Sequence, residues 1–594
     1  MNAADALQAG AFVFVVALLV KPVGAYLEGV FERRHTFFDP LLLPAERLIH
    51  RLIGIDPKCE MDWKRYAFAF TLFGVINIVT VYFLLRCQAF LPWFFPNVMT
   101  TPMTPDLAAN TAVSFATTTT WQAYAGETTM GYCSQLVLAG QNFFAGAAGL
   151  AVGIAFIRGY ARERTTRLGN FWADLIRAVL WVLLPVSLVG SLFLVAQGVP
   201  MNFQPYTVAR TIEGATQTIA QGPVAALELI KNLGTNGGGF FSVNAAHPFE
   251  NPTPLTNFME LLAIVILPAA LTHTFGRMVG RPRDGWVIFW TMTALFIAGL
   301  IACNWAESTS HPSFACDIAG GNMEGKEQRF GIAGSTLAAV VTSNTSTGSY
   351  NSMDDSFQPL GVAVPLVNML LGEIIFGGLG GGLYGMIFVA LIGLFIGGLM
   401  IGRTPEHLGK QIGPPEMKII AIYTLVAPVT TLALAALAVV TKAGLAGLTT
   451  NTGPHGFTEI LFAYASCFAN NGQTMASLSA NNIFYNATTI IAMLAGRYIL
   501  AVLALSLAGR FAAMTRRPPS PGTMPSDGVT FGVLLTGTAL LVGALNFFPA
   551  LAMGPIVEHF SMHYRPPPPI SISSSAWSIA SIGAGPRQQR RIAA

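Results

Sequence analysis

A chain of 594 residues that is 53% hydrophobic and only 10% charged, with a mean hydropathy of +0.55 and a formal net charge of +4, departs far from soluble domains, which carry about 25% charged residues. That balance excludes a string of soluble domains and points to an integral membrane protein. The small basic excess sits in a few loops, where it reads as a topology signal and argues against a nucleic-acid partner.

Windows of about 20 mainly apolar residues, enough to cross about 30 Å of hydrocarbon, fall at 8–30, 66–86, 132–157, 172–197, 257–276, 285–304, 363–401, 419–440, 484–508 and 528–553. The first lacks a basic leader and an A-x-A site and continues into GAYLEGVFERR, so it reads as a retained helix. Twenty Lys and Arg lie in the connections after the first, third, fifth, seventh and ninth spans, against five in the intervening ones. Basic loops stay cytoplasmic, which predicts that both termini face outward.

Four polar stretches occupy the outward connections: TTTTWQAYAGE (117–127), GTNGGGFF (234–241), TSTGSYNSM (345–353) and ANNGQT (469–474). With Thr119, Gly237, Gly348 and Gly472 as centres, the separations are 118, 111 and 124 residues, the mark of one supersecondary unit used four times. The predicted fold is all-α and polytopic. Ten transmembrane helices include four helix, pore-loop, helix repeats at about 60–160, 170–280, 285–402 and 417–508, with a further helix before and after them. Residues 1–563 form one pore domain, and the Pro- and Ser-rich segment 564–594 is expected to be disordered.

Irregular backbone at membrane depth survives only when buried in protein or lining a wet cavity. Four re-entrant loops on a pseudo-fourfold axis would gather free carbonyls able to replace the water shell of a monovalent cation. Glycine permits the required backbone, and Thr, Ser and Asn add uncharged oxygens. Such ligands favour K⁺ or Na⁺ over divalent or transition metals.

The 363–401 span contains GEIIFGGLGGGLYGM. Its clustered glycines, each costing a helix about 1 kcal/mol, predict a break suited to a gate or tunnel wall, with Glu373 preceding it. Glu373 and Arg497, inside the ninth span, are intramembrane charges and hence candidate pathway residues. His247 and His455 are expected to be structural, since no metal-ligand spacing accompanies them. The six cysteines show no CxxC or Cys/His spacing and are read as packing residues.

Several strings resemble one family: NTAVSF with TTTTWQAYAGETT, GTNGGGFF with AAHPFENPTPLTNF, NMEGKEQRFG, GLYGM with GLMIGRTPEHLGK, and GPHGF with LSAN. From the first span to about Phe560 the chain is similar to the potassium-translocating A subunits of Kdp complexes (KdpA), within a superfamily of potassium transporters built from four such repeats. The resemblance implies a periplasmic K⁺ filter in the bacterial inner membrane and an intramembrane tunnel to a P-type ATPase B subunit, with C and small F subunits completing the complex. K⁺ is then a transported ligand, no organic cofactor is expected, and lipid is the remaining partner. The chain has no GxxxxGK[ST] loop and no DKTGT string, so ATP chemistry is expected on the partner and none here.

Carried onto this sequence, the implied filter comprises Thr117, Thr118, Thr119, Thr120 and Gln122, then Thr235, Asn236, Gly237 and Gly238, then Ser346, Thr347 and Gly348, then Asn470, Asn471 and Gly472. Glu373, Gly380, Gly381, Arg403 and Arg497 are the implied gate or tunnel residues. Thr118 and Thr120 replace the Asn of a TNTNWQ pattern, Thr347 a Cys and Asp354 a His, while ANNGQT, with Gln473, stands for NNNGSA. Those departures predict a retained pore with altered ion preference. A stand-alone secondary K⁺ or Na⁺ transporter of the same superfamily would share the loops without needing NMEGKEQRFG or GRTPEHLGK. An inverted-repeat transporter would instead show two halves of opposite topology. A membrane enzyme would need a catalytic motif, and none is present.

Overall fold

Every predicted span coincides with a helix in the computed structural model, which describes residues 3–90, 100–309, 321–400, 402, 405–518 and 524–564. In chain order α1 (Ala3–Phe31) leads to α2 (Asp39–Leu52), a short amphipathic helix. The strand β1 (Met61–Asp62) precedes α3 (Trp63–Arg86), and Asp62 caps that helix by accepting from the Arg65 amide at 2.8 Å. Then come the short α4 (Pro105–Ala116), α5 (Tyr132–Ala161) and β2 (Arg167–Gly169), which pairs antiparallel with β1.

The second unit runs through α6 (Phe171–Ala196), the hairpin β3 (Thr207–Arg210) and β4 (Thr216–Ile219), the short α7 (Val224–Leu233) and α8 (Pro254–Val279). Thr253 and Thr256 form a reciprocal capping box at the start of α8, and left-handed Gly280 ends it, which satisfies the free backbone groups of both ends. The third unit is α9 (Pro282–Ser308), the short α10 (Gly331–Asn344), α11 (Pro359–Leu370) and α12 (Gly381–Met400). After the hairpin β5 (Glu406–His407) and β6 (Lys410–Gln411), the fourth unit comprises α13 (Pro414–Val440), the short α14 (Gly453–Ala469) and α15 (Ile483–Ala513). The last helix, α16 (Val529–Met562), continues beyond the expected 553. The tail after Tyr564 and Arg403 lie outside the described residues.

Burial differs widely among these helices. The most apolar window of α5 is 89% buried and that of α8 78%, against 17% for α1 and 22% for α13. α5 is central because Gly146, Gly149, Gly153 and Gly159 let other backbones touch it: a Cβ on Gly153 would sit 2.7 Å from the Gly380 Cα, and one on Gly159 2.6 Å from the Ala508 carbonyl oxygen. Small residues are what permit such close approach between apolar helices. α5 thereby holds the broken segment of the third unit and α15 of the fourth against one axis.

The break differs from its predicted place. Residues 371–380 leave the helix, with positive φ at Gly372, Glu373, Phe376, Gly378 and Gly380. Gly381 and Gly382 already belong to the first turn of α12. Glu373 therefore lies inside the break instead of preceding it. α11 ends at Leu370 because left-handed Gly372 stops it, with the Gly372 amide bonded to the Met369 carbonyl at 3.0 Å.

Candidate functional site

Each short helix stops in the same way. The amide of Thr119 returns to the Ser114 carbonyl at 3.0 Å, Asn236 to Lys231 at 2.8 Å, Thr347 to Thr342 at 3.3 Å and Asn471 to Ser466 at 2.9 Å. In all four the donor lies five residues beyond the acceptor and follows a left-handed residue, the pattern of a Schellman cap. Those left-handed residues are Thr118, Thr235, Ser346 and Asn470, with φ of 64°, 50°, 55° and 57°. Two residues on, φ is positive again at Thr120 (49°), Gly237 (79°), Gly348 (72°) and Gly472 (89°). The backbone thus aligns Thr120, and not Thr119, with the three glycines, a one-residue correction to the register read from the sequence.

Contacts between caps close a ring. A Cβ on Gly237 would collide with the Thr347 carbonyl oxygen, one on Gly348 with that of Asn471, and one on Gly472 with that of Thr119. The remaining junction is made by Gln122, whose Nε2 donates to the Gly239 carbonyl at 3.0 Å and whose Oε1 accepts the Gly239 amide at 2.9 Å. Side chains add further links: Ser346 Oγ donates to the Ala469 carbonyl at 2.9 Å, and Asn470 Nδ2 donates to Thr119 Oγ1 at 3.0 Å.

Many of these side chains make hydrogen bonds within the scaffold. Thr117 and Thr119 hydroxyls share a 2.8 Å hydrogen bond, matched by Thr345 and Thr347 at 2.9 Å. Asn471 Nδ2 donates to the Thr342 carbonyl at 2.8 Å and to Glu373 Oε1 at 2.7 Å. Thr235 Oγ1 accepts the Leu379 amide at 3.1 Å. Thr120 is the exception, a β-branched residue at positive φ with a buried hydroxyl that has no partner, and such strain concentrates at functional sites.

Beneath the ring lies a cavity of about 70 Å³, room for a few waters. All four left-handed cap residues, Thr118, Thr235, Ser346 and Asn470, line it, as do Glu373, Gly381 and Arg497. Gly380 packs instead on Gly149 and Gly153 of α5. Arg497 sits in a widened helical turn, Ala495–Ile499, and donates to Thr118 Oγ1 at 3.1 Å and the Ala145 carbonyl at 2.7 Å. Among the described residues no carboxylate lies within ion-pair distance of it. The four short helices all end at this cavity's rim, where their C-terminal partial charges of roughly −0.5 each favour a cation.

Buried charge backs the ring at points the sequence reading passed over. Lys231, fully buried, pairs with Glu228 at 2.6 Å and Glu250 at 3.0 Å, and Glu250 Oε1 accepts the Phe240 and Phe241 amides at 2.6 and 3.0 Å. Lys326 pairs with Glu307 at 2.8 Å, and Glu307 accepts the Gln358 amide at 2.8 Å. In the sequence both lysines count as outward loop charge. Asp354 accepts from Gln473 Nε2 just beyond Gly472, and burial pushes its carboxyl up to about 7 against that hydrogen bond. Two positions at which the chain departs from the resembled pattern therefore touch each other.

Residues 10–560 match the family model described as KdpA, Potassium-transporting ATPase A subunit. The chain belongs to the KdpA family. It is 52% identical over 549 residues to a potassium-transporting ATPase potassium-binding subunit of Methylorubrum extorquens, covering 92% of this chain and 96% of that one. The subunit of the same name from Granulibacter bethesdensis is 51% identical over 566 residues, covering 95% and 99%. Among solved structures, the crystal structure of the potassium transporter TrkH from Vibrio parahaemolyticus aligns with a TM-score of 0.50 over 83% of this chain and 98% of that one, at 14% identity. That last likeness concerns the fold. KdpA membership and the ten spans agree with the all-α polytopic architecture read from the sequence.

Proposed function

We propose that this chain is the potassium-binding and translocating subunit of an ATP-driven uptake complex in the bacterial inner membrane, with both termini periplasmic and residues 1–563 acting as one pore unit. The observation that carries the reading is the closed ring of four matched helix caps above a cavity that all four helix C-termini face. K⁺ entering the ring from the periplasm exchanges water for carbonyl oxygen, and the four helix ends offset the remaining dehydration cost. The Arg497 guanidinium beneath the ring opposes straight passage. Glu373, on the broken segment, lines the same cavity and turns the ion toward the 371–380 break, which serves as gate and tunnel wall.

From there the ion passes to a P-type ATPase B subunit, which hydrolyses ATP, and C and F subunits complete the assembly. The A chain is non-catalytic. The names of its relatives support this assignment, since each is a potassium-binding subunit of a potassium-transporting ATPase. Thr118, Thr120, Thr347, Asp354 and Gln473 are expected to shift ion preference. The test is anomalous diffraction or a high-resolution map of the complex in Tl⁺ or Rb⁺: density on the axis between Thr120, Gly237, Gly348 and Gly472 is expected, and an empty axis with ion elsewhere overturns the reading. Titration of ATP hydrolysis with K⁺, Rb⁺ and Na⁺ measures the preference. Tight K⁺ activation that excludes Rb⁺ would remove the altered-preference component alone.

A further inference from the structure

Beyond the ring, three distant segments bring four titratable side chains together. Asp355 follows the third cap, His455 and Glu459 lie one turn apart on α14, and Glu558 lies near the end of α16. His455 Nδ1 is 2.6 Å from Glu558 Oε1, while its Nε2 is 2.7 Å from Asp355 Oδ1 and 3.9 Å from Glu459 Oε1. One ligand atom each from Asp355, His455 and Glu459 falls within 4.8 Å of the others. The sequence reading missed this because only the i,i+4 pair is local. Asp355 is a hundred residues upstream of His455 and Glu558 about as far downstream.

Three carboxylates thus face one imidazole, and they are incompletely satisfied. The Glu459 side chain is fully buried; its Oε1 accepts Asn451 Nδ2 at 2.8 Å, but its Oε2 has no hydrogen-bond partner. Glu558 Oε2 is likewise buried without one. A buried carboxylate oxygen lacking a donor is unfavourable, and a cation would relieve it.

We infer that Asp355, His455 and Glu459 form a site for a divalent metal of the Zn²⁺ class. One imidazole nitrogen and two carboxylate oxygens suit a borderline transition ion, with a fourth position open to water. Glu558 is placed as the outer partner: by accepting from Nδ1 it directs the Nε2 lone pair at the ion, the usual arrangement behind a metal-bound histidine. Binding releases the Nε2 proton to solvent. Asp355 and His455 side chains remain 16% and 19% exposed, which leaves a route in. Ser477 Oγ, 2.7 Å from Asp355 Oδ1, braces that ligand. The occupied site would tie α14 to α16 and to the Asp354–Asp355 segment, whose other aspartate holds Gln473 beside the ring.

The site stands without the ring reading, and its test does not depend on transport. The full chain, purified with the subunits it assembles with, is stripped with chelator and equilibrated with Zn²⁺; bound metal is counted by mass spectrometry and located by anomalous scattering at the zinc edge. One Zn²⁺ per chain between these side chains is expected. Affinity should fall at least tenfold in both His455→Ala and the near-isosteric Glu459→Gln. No stoichiometric Zn²⁺, a peak elsewhere, or undiminished binding in Glu459→Gln overturns the inference. Should His455→Ala fail to fold, Glu459→Gln decides.

Discussion

Replacing Gly237 with alanine tests the ring most directly. The new Cβ would overlap the Thr347 carbonyl oxygen and come within 2.8 Å of the Gly348 carbonyl carbon, where ordinary contact needs about 3.5 Å. The third loop has to give by roughly an ångström or more, which takes one carbonyl out of a coordination shell. The loss compares with a hydrogen bond to a charged group, about 1.5–3 kcal/mol, so half-saturating K⁺ should rise about 10- to 100-fold. Alanine at φ 79° adds about 1–2 kcal/mol of destabilisation. Gly198 separates the two effects: its φ is 100° but nothing lies within 4 Å, so Gly198→Ala should cost about 1 kcal/mol of stability and leave ion affinity alone. K⁺-stimulated ATP hydrolysis by the purified complex, alongside thermal unfolding, reads both quantities. A folded Gly237→Ala complex whose half-saturation stays within twofold of the parent would refute a carbonyl ring at this position.

Lys231→Met strands Glu228 and Glu250 in the interior and should cost about 3–5 kcal/mol, seen as a large fall in unfolding temperature. Gln122→Ala removes both bonds to Gly239 and should weaken K⁺ activation by about 1–3 kcal/mol while the complex still assembles. Thr120→Gly relieves a β-branched residue at positive φ and should raise stability by about 1 kcal/mol, measured by thermal unfolding. Burial, and then the Arg281 charge, lowers the His407 pKa from 6.5 to about 4. Its contribution is therefore fully present above pH 6.5 and lost as pH falls through 4, worth about 3 kcal/mol. His407→Phe should flatten that part of the stability profile.

The ten spans and four polar stretches were legible because hydrophobic length and glycine or threonine clusters are local properties of a chain. Their register was not: Thr119 is the natural centre of TTTT on sequence grounds, and only the alternation of φ identifies Thr120 as the partner of the three glycines. Glycine counting located a break near 377–382 but missed its start at Gly372, because one glycine in an apolar run does not by itself end a helix and its left-handed φ is set by the tertiary fold. Residues that buttress the site were also hidden. Lys231 and Lys326 read as loop charges, since burial and long-range pairing have no sequence period. The surroundings of His455 were hidden as well, since its two nearest carboxylates, on Asp355 and Glu558, are remote in the sequence.

The four caps are chemically unequal because one polypeptide supplies all of them. An assembly of identical subunits must repeat every feature four times, so a lone guanidinium under the axis or a single interrupted helix would be impossible there. Here Arg497 occurs in one quarter and the 371–380 interruption in another. Covalent continuity thus lets a ring of matched caps sit above a cavity whose walls differ from quarter to quarter.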